Sequence, residues 1–231
     1  MGKDNGPRIS VNKLAECMSA KAGRKRQILR DQKYPDFKGM YYREATEAVS
    51  LCLASGLEDT TMLSKAVKLL EQAPAGKTGT LRRLNSNIDA IEAFESMLDT
   101  IDLKGGNPEL GENRPEKLTF HGVEVSVRPE IVLRGHGKMG KPMVGALKVH
   151  FSKTFTLDAA SAGIVSAVLQ RYAEDKISGG DEIVGSQYCF VIDVGSKAVY
   201  PAAKSITARL KDVEAECQNI AALWPTITPD E

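Results

Sequence analysis

The 231-residue sequence has no apolar run approaching the roughly 18 residues of a membrane span, and its opening MGKDNGPRIS lacks the hydrophobic core of a signal peptide. Both absences lead to the expectation of a cytoplasmic protein with no membrane partner. The four cysteines, Cys17, Cys52, Cys189 and Cys217, are widely spaced and include no CxxC pair. Three of them fall within apolar patterns, so they read as reduced core residues. The three histidines, His121, His136 and His150, match no zinc spacing and have no cysteine near them in sequence. No GxSxG and no Cys/His pairing of known form announces a covalent nucleophile. Internal repeats and low-complexity segments are also lacking.

What is present is an ordinary globular composition, 42% hydrophobic and 26% charged, with a formal net charge of +1. That near-neutral total hides an asymmetry. Residues 1–38 carry ten Lys/Arg against four Asp/Glu, and residues 128–153 carry six against one, whereas residues 86–116 carry eight acids and two bases. The densest cations, Arg24, Lys25, Arg26 and Arg30, follow a short amphipathic helix that Ser10 can cap. Clustered this way they suit a phosphate backbone, from which they would release counterions, or else a solvated helix face. Gly23 is expected to break the helix and leave the cluster on a mobile turn.

Helical spacing recurs through Tyr42 to Leu53, through Leu63 to Leu70, and most extensively from Leu84 to Ile101. The last of these places Asp89, Glu92, Glu95 and Asp99 on its outer face. LKGGNPELGENRPEK, with three glycines and two prolines, reads as the linker or long loop of the chain. Beyond it, a helix capped near Asp158, a continuous apolar run from Tyr188 to Val194 and a final helix from Ser205 complete the pattern.

Two glycine-rich stretches bear on nucleotide binding. APAGKTGT contains Gly76-Lys77-Thr78, but Glu71 stands where the first phosphate-loop glycine belongs and a helix precedes it. The stretch from Gly135 to Pro142, GHGKMGKP, formally matches GxGxxG, yet it leads into a strand, so no helix N-terminus is available to receive a phosphate. It reads as a basic hairpin loop offering Lys138 and Lys141 to nucleic acid.

The flanking segments carry the strongest chemical pattern. Val123, Val125, Val127, Ile131 and Leu133 alternate with polar residues as one strand, and Ala146, Lys148 and His150 share one face of the next. Pairing would bring Glu130 near Lys148 at the sheet surface, where a carboxylate and an ammonium can hold a metal and polarise a phosphate, with His150 beside them as an acid or base. Without chemistry, the same two residues make a cross-strand ion pair. The order helix, strand, strand with Arg128-Pro129-Glu130, strand with Gly145-Ala146-Leu147-Lys148, helix, strand, helix resembles the core of the PD-(D/E)XK nuclease superfamily over roughly residues 84–204. That resemblance implies a restriction-endonuclease-like fold and phosphodiester hydrolysis dependent on Mg2+ or Mn2+. Glu130 would take the place of the metal-binding aspartate, Lys148 that of the catalytic lysine, and Glu92 or Glu95 that of the upstream helical glutamate. Ala146 departs from the family pattern, because an acid is expected two residues before the lysine.

The expected fold class is therefore α+β. A helical N-terminal lobe with the basic segment occupies residues 1–104, and a small mixed sheet flanked by helices occupies residues 117–231, with the long helix 80–103 able to pack on that core. The expected function is nucleic-acid binding, to DNA foremost, by a metal-dependent nuclease or a degenerate inactive relative. The alternative is a non-catalytic protein–protein interaction module with a protein partner or a second copy of itself.

Overall fold

The computed structural model describes residues 6–35, 41–74, 76, 78–137 and 140–229. Lys138, Lys77 and the Asp36–Gly39 part of the turn expected after Tyr34 lie outside the described residues. In chain order the elements begin with β1 (Arg8–Ser10), α1 (Val11–Ser19), α2 (Ala22–Lys33), α3 (Arg43–Ala54), α4 (Thr61–Glu71) and α5 (Thr78–Glu95). Five strands follow: β2 (Asn107–Leu110), β3 (Leu118–Phe120), β4 (Val123–Ser126), β5 (Ile131–His136) and β6 (Pro142–His150). The chain closes with α6 (Ala159–Tyr172), β7 (Ile183–Val184), β8 (Phe190–Asp193), β9 (Ala198–Tyr200) and α7 (Ile206–Leu223). The fold is mixed α+β, and among the described residues no helix is long and apolar enough to cross a membrane.

Two sheets organise these elements. The larger runs in the order β2-β5-β6-β8-β9, with β7 also paired to β6, and the smaller in the order β1-β4-β3. β5 and β6 are antiparallel neighbours, whereas β6 and β8 are parallel and are joined through α6. α6 starts on a capping box, in which Asp158 accepts the Ser161 N–H at 2.8 Å and the Ser161 hydroxyl accepts the Asp158 N–H at 2.9 Å. Ser10 caps α1 in the simpler way by accepting the Lys13 N–H at 3.4 Å.

The alternation that reads as a single strand from Val123 to Leu133 is divided between the two sheets. β4 forms a hairpin with β3 through His121 and Gly122, whose φ values of 47° and 78° are those a tight two-residue hairpin requires. The chain then leaves that sheet at Arg128, with φ 42°, and Pro129, which has no N–H to offer a ladder, and enters the larger sheet at Ile131. The segment read as a linker is also partly structured, since Asn107–Leu110 pairs with β5 as the edge strand β2. Gly23 does not break the second helix. It lies exposed within α2, and the basic residues are helical throughout.

The core is split by the faces of the large sheet rather than by position along the chain. One cluster packs α3, α4 and α5 on Ile131, Leu133, Leu147, Val149, Phe190 and Ile192. The other packs α1, α2, α6 and α7 against Ala146, Val191 and the small sheet. Both clusters take residues from before and after the 105–116 segment, and β1 pairs in parallel with β4 from the far half of the chain.

Candidate functional site

Extending the β5–β6 register by one step, from Ile131 opposite Leu147, sets Glu130 opposite Lys148 on the face away from α5. Where the chain turns aside at Pro129, the Glu130 carboxylate replaces the missing backbone acceptor. Its Oε2 accepts the Val149 N–H at 2.6 Å, and its Oε1 accepts from Lys148 Nζ at 2.7 Å. Lys148 donates a second hydrogen bond to the Arg128 carbonyl at 2.8 Å. This pair is buried, with side-chain exposures of 5% for Glu130 and 9% for Lys148. It is therefore not the surface pair that strand alternation predicts. A lysine ammonium has three donors, and two are used here.

Two residues further along β6, buried His150 lies opposite Asp193 of β8. Its Nε2 donates to the Phe155 carbonyl at 2.7 Å, which fixes the neutral ring as the tautomer carrying its proton on that nitrogen. Burial pushes the imidazole below its ordinary pKa, opposed by the Phe155 carbonyl and Asp193 and aided by the charges of Lys148 and Lys13. His150 is thus neutral at physiological pH. Asp193 itself holds the following loop together, accepting from the Leu157 N–H at 2.7 Å, the Gly195 N–H at 3.2 Å and the Ser196 hydroxyl at 2.7 Å.

These groups border a cleft of about 640 Å³ at the end of β6. α1 contributes Asn12, Lys13 and Glu16, the entry to α3 contributes Tyr41 and Tyr42, and the loop after β6 contributes Lys153. Tyr42 stacks on Phe151 with centroids 5.8 Å apart, and Tyr41, 40% exposed, meets Tyr42 edge-on at 5.1 Å. Lys13, half-buried, is paired with the buried Glu16 at 2.6 Å, and the exposed Lys153 with Asp89 at 2.7 Å. The exposed Lys153–Asp89 pair contributes about 0–1 kcal/mol, so an anionic ligand can compete for Lys153. Glu16 is held below the usual carboxylate range: burial pushes it up, and the hydrogen bonds and charges of Lys13 and Arg24 outweigh that effect.

The structure gathers some of the sequence-derived candidates and disperses others. Glu130, Lys148 and His150 come together. Glu92 and Glu95 do not join them, because α5 covers the opposite face of the sheet and both glutamates are exposed to solvent on it. Ala146 lies within the core and brings no oxygen to the site. Both oxygens of Glu130 are already hydrogen-bonded, and among the described residues no group of three or more His, Cys, Asp and Glu is placed to hold a metal ion. The donor set therefore does not fit Mg2+, which demands near-octahedral oxygen ligation, or Mn2+, which prefers a similar oxygen shell.

The basic cluster is largely committed to internal contacts. Arg24 reaches Glu16 at 2.5 Å and Lys25 reaches Glu216 at 2.9 Å, tying α2 to α1 and α7. Arg26 and Arg30 border a separate groove on α2, and Arg30 pairs with Asp31 at 3.8 Å. Lys141 is exposed at the β5–β6 hairpin, away from the cleft residues. Gly135 and Gly137 of that hairpin make room for side chains instead of a phosphate. A Cβ at Gly135 would run into Tyr188 Oη, and one at Gly137 would meet Met143 Sδ at 2.5 Å. Cys17 is buried, and burial together with Glu216 pushes its thiol up to about 12, so it is inert as a nucleophile.

Asn12, Lys13, Tyr41 and Lys153 escape sequence reasoning because they come from three separate segments that meet only in the folded chain. The one signal near them is the cationic Lys153 directly after the strand that carries Lys148 and His150. No family model matches the chain, and no curated protein matches it.

Proposed function

We propose that this protein binds single-stranded nucleic acid in the cleft at the end of β6, and that it does so without metal-dependent cleavage. The observation that carries the reading is the convergence on one cleft of two lysines, the half-buried Lys13 and the exposed Lys153, with an exposed tyrosine, Tyr41. Cations that follow a backbone, combined with an aromatic platform for bases, are the two parts from which single-strand sites are built. Lys148, fixed by Glu130 and the Arg128 carbonyl, adds a preoriented charge whose third N–H is left for a phosphate oxygen. The order α5, β2, β5, β6, α6, β8 supports relating the larger sheet to a restriction-endonuclease-like core. On that reading the chain is a relative in which the metal ligands have been replaced by a buried ion pair whose two carboxylate oxygens are both hydrogen-bonded.

The test is fluorescence anisotropy with a labelled single strand and the matching duplex across a salt series, with and without manganese. The single strand is expected to bind more tightly, with log K falling by about 0.7 per phosphate neutralised for each unit of log salt. Lys13→Glu and Lys153→Glu should each weaken binding, and the strand should remain uncut in manganese. Equal affinity of the double charge reversal and the parent would remove the cleft from the argument. Manganese-dependent cleavage would overturn the binding-only reading.

A further inference from the structure

Among the described residues only three buried side-chain polar atoms have no hydrogen-bond partner: Asn12 Oδ1, Gln170 Oε1 and Arg209 Nε. Asn12 alone of these residues borders the cleft. A buried acceptor without a donor is costly and uncommon in a folded protein, so one placed at a binding cleft calls for an explanation. Local structure does not require it. The cap of α1 is supplied by Ser10, and Asn12 lies inside the first turn, where an asparagine has no intrinsic advantage over leucine or alanine.

The atom's surroundings indicate what it is kept for. On α1 it stands next to Lys13, which is 39% exposed in its side chain, held by a single ion pair and able to turn aside for an incoming group. The same cleft presents Tyr41 as a flat apolar surface and Lys153 as a second cation. A ligand that fills such a cleft carries a negative charge, a planar ring and an N–H donor. A nucleotide carries all three, since every base has an N–H on its pairing edge, whereas a sugar-phosphate chain without bases has only the charge.

We propose that Asn12 is a base-binding residue, whose side-chain oxygen accepts a hydrogen bond from the pairing edge of a nucleobase held in the cleft. This inference rests on the nucleic-acid reading above and adds that the cleft takes the base as well as the backbone. Because all bases bring a donor, it implies a requirement for a base rather than for a particular sequence.

The experiment compares two labelled single strands of about 15 nucleotides, one with bases and one fully abasic, on the parent protein and on Asn12→Leu. The parent is expected to prefer the strand with bases. Asn12→Leu should lose about five- to tenfold in affinity for that strand and nothing for the abasic one. Its thermal midpoint should hold or rise, because the substitution removes an unsatisfied buried acceptor. If leucine prevents folding, Asn12→Ala gives the same comparison with a smaller side chain. Unchanged affinity in these variants, or an equal loss on both strands, would overturn the inference and leave the nucleic-acid reading standing, as would equal affinity of the parent for the two strands. Failure of the parent to bind either strand would remove the nucleic-acid reading itself, and this inference with it.

Discussion

The two faces of the six-stranded sheet are built on opposite principles. Of the nine buried polar or charged side chains among the described residues, Asn87 alone belongs to the helices covering the α3–α5 face, and the other eight lie on the side of α1, α6 and α7. Asn87 is fully employed, accepting the Ala45 N–H at 2.9 Å and donating to the Tyr41 and Arg83 carbonyls at 2.9 Å. Beyond the Asn87 hydrogen bonds, the interior of that face is held by apolar burial. The polar face keeps ionised groups out of water, which is expensive, and that cost is compensated only where each group has partners. Most of the buried polar groups are thus kept to one side of a single layer of backbone, and neighbouring residues of β6 face different surroundings: Leu147 and Val149 one side, Lys148 and His150 the other.

Substitutions on the two faces should respond accordingly. The largest single loss is expected on the apolar face, where Phe94→Ala empties a fully buried site and should cost about 3–5 kcal/mol in urea unfolding. On the polar face, Lys148→Met alone leaves Glu130 buried without its cation and should cost a similar amount, about 3–5 kcal/mol. The comparison sharpens in the double variant. Glu130→Leu with Lys148→Met replaces the pair by apolar groups and should recover most of that loss, a result impossible for two cavities on the apolar face. Additive losses in the double-variant cycle would show that Glu130 and Lys148 do not couple and that each acts through its own surroundings.

Smaller effects test single features of each face. Gly135→Ala should cost about 1–3 kcal/mol through the clash with Tyr188 Oη, and Tyr188→Phe should relieve it. Ser10→Ala should cost about 1 kcal/mol by uncapping α1 at the mouth of the cleft. For His150 the folded pKa lies below the unfolded value of about 6.5, so the unfolded state binds the proton first as pH falls. Its contribution is present above about pH 6.5 and is lost as pH drops through the folded value. His150→Gln should flatten that part of the stability profile, measured by thermal melts across the pH range. A profile unchanged by the substitution would mean that acid loss arises elsewhere on the polar face.

How far the sequence discloses this arrangement depends on the range of the interactions involved. Period-3.6 and period-2 patterns are local, and they place most helices, the β5–β6 pair and the interior strand β8 near their observed positions. The buried character of Glu130 and Lys148 is not local: alternation identifies their shared face, but the helix that packs on that face is α6, and α1, from the other end of the chain, closes in across the cleft. The same limit explains Glu92 and Glu95. Helical spacing places them on the outer side of α5, whereas the face of the sheet on which α5 docks follows from tertiary packing. The division of Val123–Leu133 between two sheets hangs on Arg128 and Pro129, and an unbroken parity of apolar residues conceals it. The basic segment misleads for a related reason, since Arg24 and Lys25 are neutralised by Glu16 and Glu216, and Glu216 lies near the opposite terminus.

The pairing of β1 with β4 bears on how this protein is made. Ser10 finds its partner at Ser126, and α1 finds its main packing surface in α6, so the N-terminal segment has only α2 to pack against when it is synthesised. At roughly 5–20 residues per second, translation leaves the apolar stripe of α1 (Val11, Leu14, Ala15) without its cover for several seconds, until the second half of the chain emerges. The cleft, walled by α1 on one side and the end of β6 on the other, is therefore among the last parts of the molecule to exist, and a chain stalled before residue 126 would lack it.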